Sequence, residues 1–149
     1  MIHIDSSQAP LPIEAHLLER AAKAALEHEA AKGDLSIVLT DDEQLRRLNR
    51  EYLGIDAATD VLSFPASDTD PDSGGLYLGD ILVSVPRAAQ QATSAGHPLE
   101  AEAQLLVVHG VLHLLGHDHA DPSDKSRMWA AQAAILGSLG LGGIEVRET

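Results

Sequence analysis

No cysteine occurs in the 149 residues, which excludes a disulfide framework, a thiolate metal site and a cysteine nucleophile. Aromatic residues are nearly as scarce, with Tyr52, Phe64, Tyr77 and Trp129 making up the whole set. That is too few for the stacking platforms on which RRM or OB-type domains lay out bases. Basic residues number 10 against 23 acidic ones, for a formal charge of −13. A chain of this sign is not a general nucleic-acid coat, which needs a basic surface to displace counterions. No apolar run approaches the ~20 residues that span a bilayer. The opening residues, Met1 to Asp5, lack the basic and apolar regions of a signal peptide. The sequence therefore predicts a cytoplasmic protein that engages no membrane. What remains is 44% hydrophobic and 22% charged, the composition of one globular domain over residues 1–149 that buries its core unaided.

Short strand-like runs alternate with longer helical ones. Met1 to Asp5 reads as a first strand, and Pro12 opens a helical pattern to about Lys32, with Leu17, Leu18, Ala21, Ala25 and Leu26 on one face and Gly33 as its cap. Leu35 to Leu39 is a second strand. Thr40 or Asp41 caps a helix that carries Leu45, Leu48 and Tyr52 on one side. Thr59 to Pro65 reads as a strand stopped by its proline, Ala66 to Gly75 as an acidic loop, and Tyr77 to Val85 as a fourth strand. Pro86 begins a helix ending near Gly96, and Leu99 to Leu115 is apolar nearly all round, the mark of a buried central helix. Asp121-Pro122 then opens a last helix with Met128, Trp129, Ala133 and Leu136, before a glycine-rich tail. The order predicts an α/β or α+β domain. Met128, beside Trp129 in an amphipathic helix, is expected to pack in the core.

Four of the eight histidines fall within His109-Gly-Val-Leu-His113-Leu-Leu-Gly116-His117-Asp118-His119. Residues four apart on a helix share a face, so His109 and His113 can meet one ion at roughly 2.0–2.1 Å each. Gly116 is placed to end the helix in a left-handed turn, from which His119 can approach the same ion. Three imidazoles with an open fourth position make a catalytic kind of zinc site. The spacing matches the metzincin pattern H-E-x-x-H-x-x-G-x-x-H, but Gly110 stands where the proteases carry their glutamate base. Peptide hydrolysis of the usual kind thus lacks its proton acceptor. Gly110 is expected to let the helix approach a strand, or to leave room above the metal. Asp118 can orient a ligand imidazole or stabilise the turn, and His117 can serve as a general acid or base or as a solvent-facing spacer. His3, His16, His28 and His97 have no partner at ligand spacing.

These residues, with Thr59-Asp60-Val61-Leu62-Ser63-Phe64-Pro65 and Leu78-Gly79-Asp80-Ile81, resemble the YbeY-type endoribonucleases, or rRNA maturation factors, from about Asp34 to Leu139. The resemblance implies an α/β fold with a four-stranded mixed sheet and one zinc ion held by His109, His113 and His119. It implies single-strand-specific RNA cleavage in ribosomal RNA maturation, including 16S rRNA 3′-end processing and ribosome quality control. Single-stranded, ribosomal RNA and a ribosomal or ribosome-associated protein are the implied partners, and DNA is not. Many members place an arginine directly after the tyrosine of an N-x-x-Y segment; here Asn49-Arg50-Glu51-Tyr52 is followed by Leu53. Arg47, Arg50 or Arg87 can offer a positive charge instead. Asp80 can face the cleft or sit at a strand edge or turn, Thr59 and Asp60 are expected to cap a turn, and Ser63 has no base placed beside it to make it a nucleophile. Two other readings stand beside this one: a metzincin-like zinc peptidase, and a non-catalytic ribosome-associated factor with a structural zinc. The acidic total predicts weak affinity for RNA alone.

Overall fold

The computed structural model describes residues 1–7, 12–69, 74–118 and 120–144. Strands β1 (Ile2–Ser6), β2 (Asp34–Thr40), β3 (Val61–Thr69) and β4 (Leu76–Ser84) form one sheet in the order β1-β2-β4-β3. The first three in that order run parallel, and β3 pairs antiparallel with β4 at the edge. The expected α/β fold with a four-stranded mixed sheet is what the chain adopts. Helices α1 (Ala15–His28), α3 (Val85–Ala95), α4 (Leu99–Leu114) and α5 (Pro122–Ser138) contribute to the main core, while α2 (Asp42–Leu53) covers the opposite sheet face.

The division follows from strand alternation. Leu35, Ile37, Leu39, Ile81 and Val83 point into the main core, whereas Leu62 and Leu82 meet Leu45 of α2. Helix α4 lies at the centre, against β3, β4, α1, α3 and α5. Its run from Ala101 to Leu112 is buried throughout, as its nearly continuous apolar sequence requires. Met128 is fully buried in the same core, as expected.

Several boundaries differ from the sequence reading, each for a local reason. Pro12 and Ile13 form a bend that drives Ile13 into the core, so α1 begins only at Ala15. The helix ends at His28 because Ala30 takes the left-handed position and Ala31 N donates to Leu26 O at 2.9 Å. Gly33 is not its cap but the entry to β2. Pro65 does not stop β3, which runs to Thr69 with a register shift after the proline. An edge strand has one unpaired side and tolerates a missing donor. Ala66 to Thr69 are therefore strand rather than loop, while residues 70–73 and the tail from 145 lie outside the described residues. Asp41, not Thr40, caps α2, accepting from Gln44 N at 2.9 Å. Tyr52 is 68% exposed and touches Phe64 edge-on at 5.7 Å between ring centroids, and the buried polar residue of α2 is Asn49. In α5, Ala133 faces solvent and Gln132 is buried.

At Gly110 α4 closely approaches the sheet. A Cβ at this position would stand 2.7 Å from Ile81 Cγ2 and 3.2 Å from Ser63 Oγ. Ser63 Oγ also donates to the Gly110 carbonyl at 3.2 Å, so the helix touches β3 and β4 through the same residue. The expectation that Gly110 permits a close approach to a strand is met.

The start of β3 is held by buried polar groups. Asp60 is 2% exposed and Glu102 of α4 is fully buried. Between them lies Gln91 of α3. Because an amide oxygen would face only acceptors there, its nitrogen turns to the acids and donates to Glu102 Oε2 at 3.0 Å and Asp60 Oδ2 at 3.1 Å. His97 Nε2 meets the other oxygen of Glu102 at 2.7 Å. Asp60 thus does more than cap a turn.

Two predictions follow from this packing. Burial pushes the Asp60 carboxyl above its ordinary value, with Glu102 adding to the effect and hydrogen bonds from Gln91 and the backbone opposing it. A raised folded pKa makes the contribution of this group largest below the unfolded carboxyl pKa of about 3.9 and loses it as pH rises through the folded value. Asp60→Asn cannot ionise, so its stability relative to wild type should increase from pH 4 to pH 7 in urea unfolding; parallel pH profiles would refute the assignment. Gly110→Ala should lower stability by about 1–3 kcal/mol through overpacking. The neighbour is a buried, β-branched Ile81 with little rotamer freedom, and the atoms met are its Cγ2 and Cγ1. Ile81→Ala, which removes both, should therefore cost less in the Gly110→Ala background than in wild type, and strict additivity of the two changes would contradict the contact.

Candidate metal centre

His109 and His113 project from the same face of α4, as their spacing predicts. Their Nε2 atoms lie 3.0 Å apart, with ring centroids 4.6 Å apart and planes at 73°. Two imidazoles bound to one tetrahedral zinc at 2.0–2.1 Å would hold their nitrogens about 3.3 Å apart. The pair is therefore close to the edge of a zinc coordination shell before any ion is considered. His109 is 2% exposed, while His113 is half-buried. A buried imidazole pair on a helix of Leu and Val needs polar partners. His109 finds one in Gln132, whose Oε1 lies 3.1 Å from its Nδ1. Trp129 stands edge-on to the same ring at 6.2 Å between centroids, and Lys125 Nζ lies 5.5 Å from the centroid of the indole.

Helix α4 ends where the sequence places its stop. Gly116 has φ 99°, and His117 N donates back to Leu112 O at 2.9 Å. The chain turns here; His119, the third candidate ligand, lies outside the described residues. Nitrogen donors only, a converging pair and one ring held through its second nitrogen all fit zinc.

The two rings form the floor of a cavity of about 250 Å³, walled by Leu53 at the end of α2 and by Val61, Leu62, Ser63 and Pro65 of β3. Ser63 borders the cavity, with its hydroxyl engaged by the Gly110 carbonyl. Leu53, at the position where the resemblance implied arginine, makes this wall apolar. The other arginines considered do not line it: Arg87 forms a paired contact with Asp42 at 3.2 Å and 3.2 Å, Arg47 bonds Gln44, and Arg50 lies in the last turn of α2. Where a zincin would carry glutamate, the direction from Gly110 is closed by Ile81 and Ser63. No longer side chain fits at 110 in this packing.

The remaining candidates are placed elsewhere. His117 Nε2 pairs with Glu29 Oε1 just beyond α1. Burial would raise the Glu29 carboxyl, but hydrogen bonds and charge from His117 and His28 hold it below its ordinary value. His117 and the exposed Asp118 line a separate depression with Asp124 and Arg127. Asp80 shares the sheet face of Leu82, away from α4, and accepts from the Tyr77 hydroxyl, which also lies 2.6 Å from Ser36 Oγ. His16, His28 and His97 each meet a glutamate and do not reach the cavity. Sequence reasoning missed Gln132, since one glutamine on an amphipathic helix carries no signal until the fold brings it to His109. It also missed the hydrophobic walls, whose residues read only as strand.

A family model described as Endoribonuclease YbeY matches residues 3–140. A protein named Endoribonuclease YbeY from Roseiflexus castenholzii is 47% identical over 136 residues, covering 87% of this chain and 86% of that one. Its namesake from Moorella thermoacetica is 43% identical over 150 aligned positions, covering 93% and 96%. The solution structure of TM1509 from Thermotoga maritima superposes with a TM-score of 0.58 at 24% identity, over 94% of this chain and 92% of that one, which supports the fold. With the family model and the relatives both spanning most of its length, and the histidine pair set on the central helix, this chain belongs to the Endoribonuclease YbeY family.

Proposed function

We propose that this protein is a zinc-dependent endoribonuclease that cuts single-stranded RNA, with ribosomal RNA in the cytoplasm as its substrate. The observation that carries the reading is the convergence of His109 and His113, nitrogen to nitrogen at 3.0 Å, on the floor of an open cavity, in a chain whose relatives bear the name endoribonuclease. His119 is the third ligand in this reading, on the strength of its spacing. Zinc so held would supply Lewis acidity at a phosphoryl oxygen and lower the pKa of bound water to about 7.

The chain's own residues define the rest. A Cβ at Gly110 would meet Ile81 and Ser63, which leaves no place there for a peptidase-type base. The Ser63 hydroxyl is committed to the Gly110 carbonyl and does not attack substrate. Leu53, Val61, Leu62 and Pro65 form apolar walls that limit water around the scissile group and strengthen electrostatic interactions there. A cavity of about 250 Å³ takes part of one strand rather than a paired helix, in keeping with single-strand selectivity. With a net charge of −13, the protein lacks broad attraction for RNA, so a ribosomal protein or the ribosome itself supplies the docking.

The test joins metal analysis to cleavage of single-stranded and duplex RNA by wild type and His113→Ala. Wild type should carry about one zinc per chain and cut the single strand preferentially. The variant, shown folded by circular dichroism, should lose zinc and at least ~100-fold in rate, since even residues behind the ligands are worth 10–100-fold. Undiminished cleavage by the zinc-free variant would overturn the reading.

A further inference from the structure

We propose that Gln132 is a positioning residue that locks His109 in the tautomer protonated at Nδ1, keeping the bare Nε2 aimed at the point where His113 converges. The proposal deepens the zinc reading and rests on it only for the effect on metal affinity; the tautomer stands independently. Gln132 is fully buried on α5, and its Oε1 lies 3.1 Å from His109 Nδ1. A carbonyl oxygen only accepts, so the proton of this contact belongs to the imidazole Nδ1. In a neutral ring the other nitrogen then presents its lone pair. That nitrogen is the one 3.0 Å from His113 Nε2. A lone pair there accepts either a proton from His113 Nε2 or a cation placed between the two nitrogens, which suits the site to cation capture.

A second observation concerns the other end of the same amide. Among the described residues, Gln132 Nε2 is buried without a hydrogen-bond partner. An orphan donor of this kind is destabilising, and Leu or Met would fill the space without it. Fold stability alone therefore does not account for glutamine here, whereas a use for its oxygen does. Its mount is rigid, because Met128 and Ile135, one turn to either side, are both buried in the core. Trp129, three residues before Gln132, stands edge-on to the His109 ring and limits its rotation. Oxygen and indole together fix the direction of Nε2.

The alternative is concrete. If the amide were reversed, its nitrogen would donate to Nδ1, and the His109 proton would move to Nε2, where it would oppose an incoming metal ion. Long-range ¹H–¹⁵N correlation of the histidine rings in the full, metal-free chain separates the two. Wild type should show His109 protonated at Nδ1. Gln132→Glu, which keeps an acceptor, should retain that pattern, and Gln132→Leu should lose it. Zinc affinity, read by competition with a chromophoric chelator, should fall about 10–100-fold in Gln132→Leu and stay near wild type in Gln132→Glu. Gln132→Met serves if the leucine variant does not fold. A wild-type His109 protonated at Nε2, or a folded Leu or Met variant with unchanged tautomer and zinc affinity, overturns the proposal. If wild type binds no zinc but shows the Nδ1 proton, the metal reading fails and the positioning of His109 stands.

Discussion

The approach of α4 to the sheet at Gly110 is the constraint on which the site depends. A helix this apolar must be covered on all sides, and only a residue without Cβ lets it settle against Ile81 and receive the Ser63 hydroxyl on its carbonyl. That contact fixes the depth of the helix and hence of the two histidines flanking Gly110. Because close-packed interiors transmit strain rather than absorb it, a shift at this contact would reach both ring nitrogens. The absence of a protease-like glutamate and the position of the histidine pair are thus consequences of one packing decision.

Around that contact the polar groups of the interior fall into two sets. Asp60, Gln91, Glu102 and His97 tie the entrance of β3 to α3 and α4. His109, Gln132 and Trp129 tie the middle of α4 to α5. Glu102 and His109 are seven residues apart, two turns along one helix, so α4 is anchored by polar contacts at two heights while hydrophobic burial holds it everywhere else. Non-directional burial sets the helix in the core; hydrogen bonds at fixed geometry set its rotation. A metal centre needs both.

How much of this was legible in the sequence depended on whether the information was local. The spacing of His109, His113 and Gly116 is a property of one helix and its stop, and the structure has the shared face and the turn where the residues put them. The caps at Asp41 and Asp121, the proline at the start of α5 and the buried central helix were equally local. Pro65 misled because tolerance for proline depends on whether a strand is central or at an edge, which is decided by pairing with β4. Gly33 misled because Ala30 took the left-handed turn instead. His117 reads as part of the motif, but its partner Glu29 is 88 residues away in the chain. Gln132 and the Asp60 cluster were invisible for the same reason, since each joins elements that only the fold brings together.

The charge of −13 looks adverse for a protein proposed to act on RNA, yet the cavity escapes it. Its walls, among the described residues, are apolar or hydroxylic, and its floor is imidazole, with no carboxylate lining it. Exposed carboxylates more than about 8 Å away are largely screened at physiological salt, so they do little to repel a phosphate already inside. What they remove is long-range steering, because a field of the same sign slows rather than speeds an anionic partner's approach. Two of the arginines are offset by carboxylates: Arg46 is paired with Asp56, and Arg87 with Asp42. In the proposed reaction, catalysis and encounter are therefore separated physically. A small cavity with no carboxylate among its described lining residues can process a strand once it is delivered, while in this proposal delivery comes from a surface other than this protein's own.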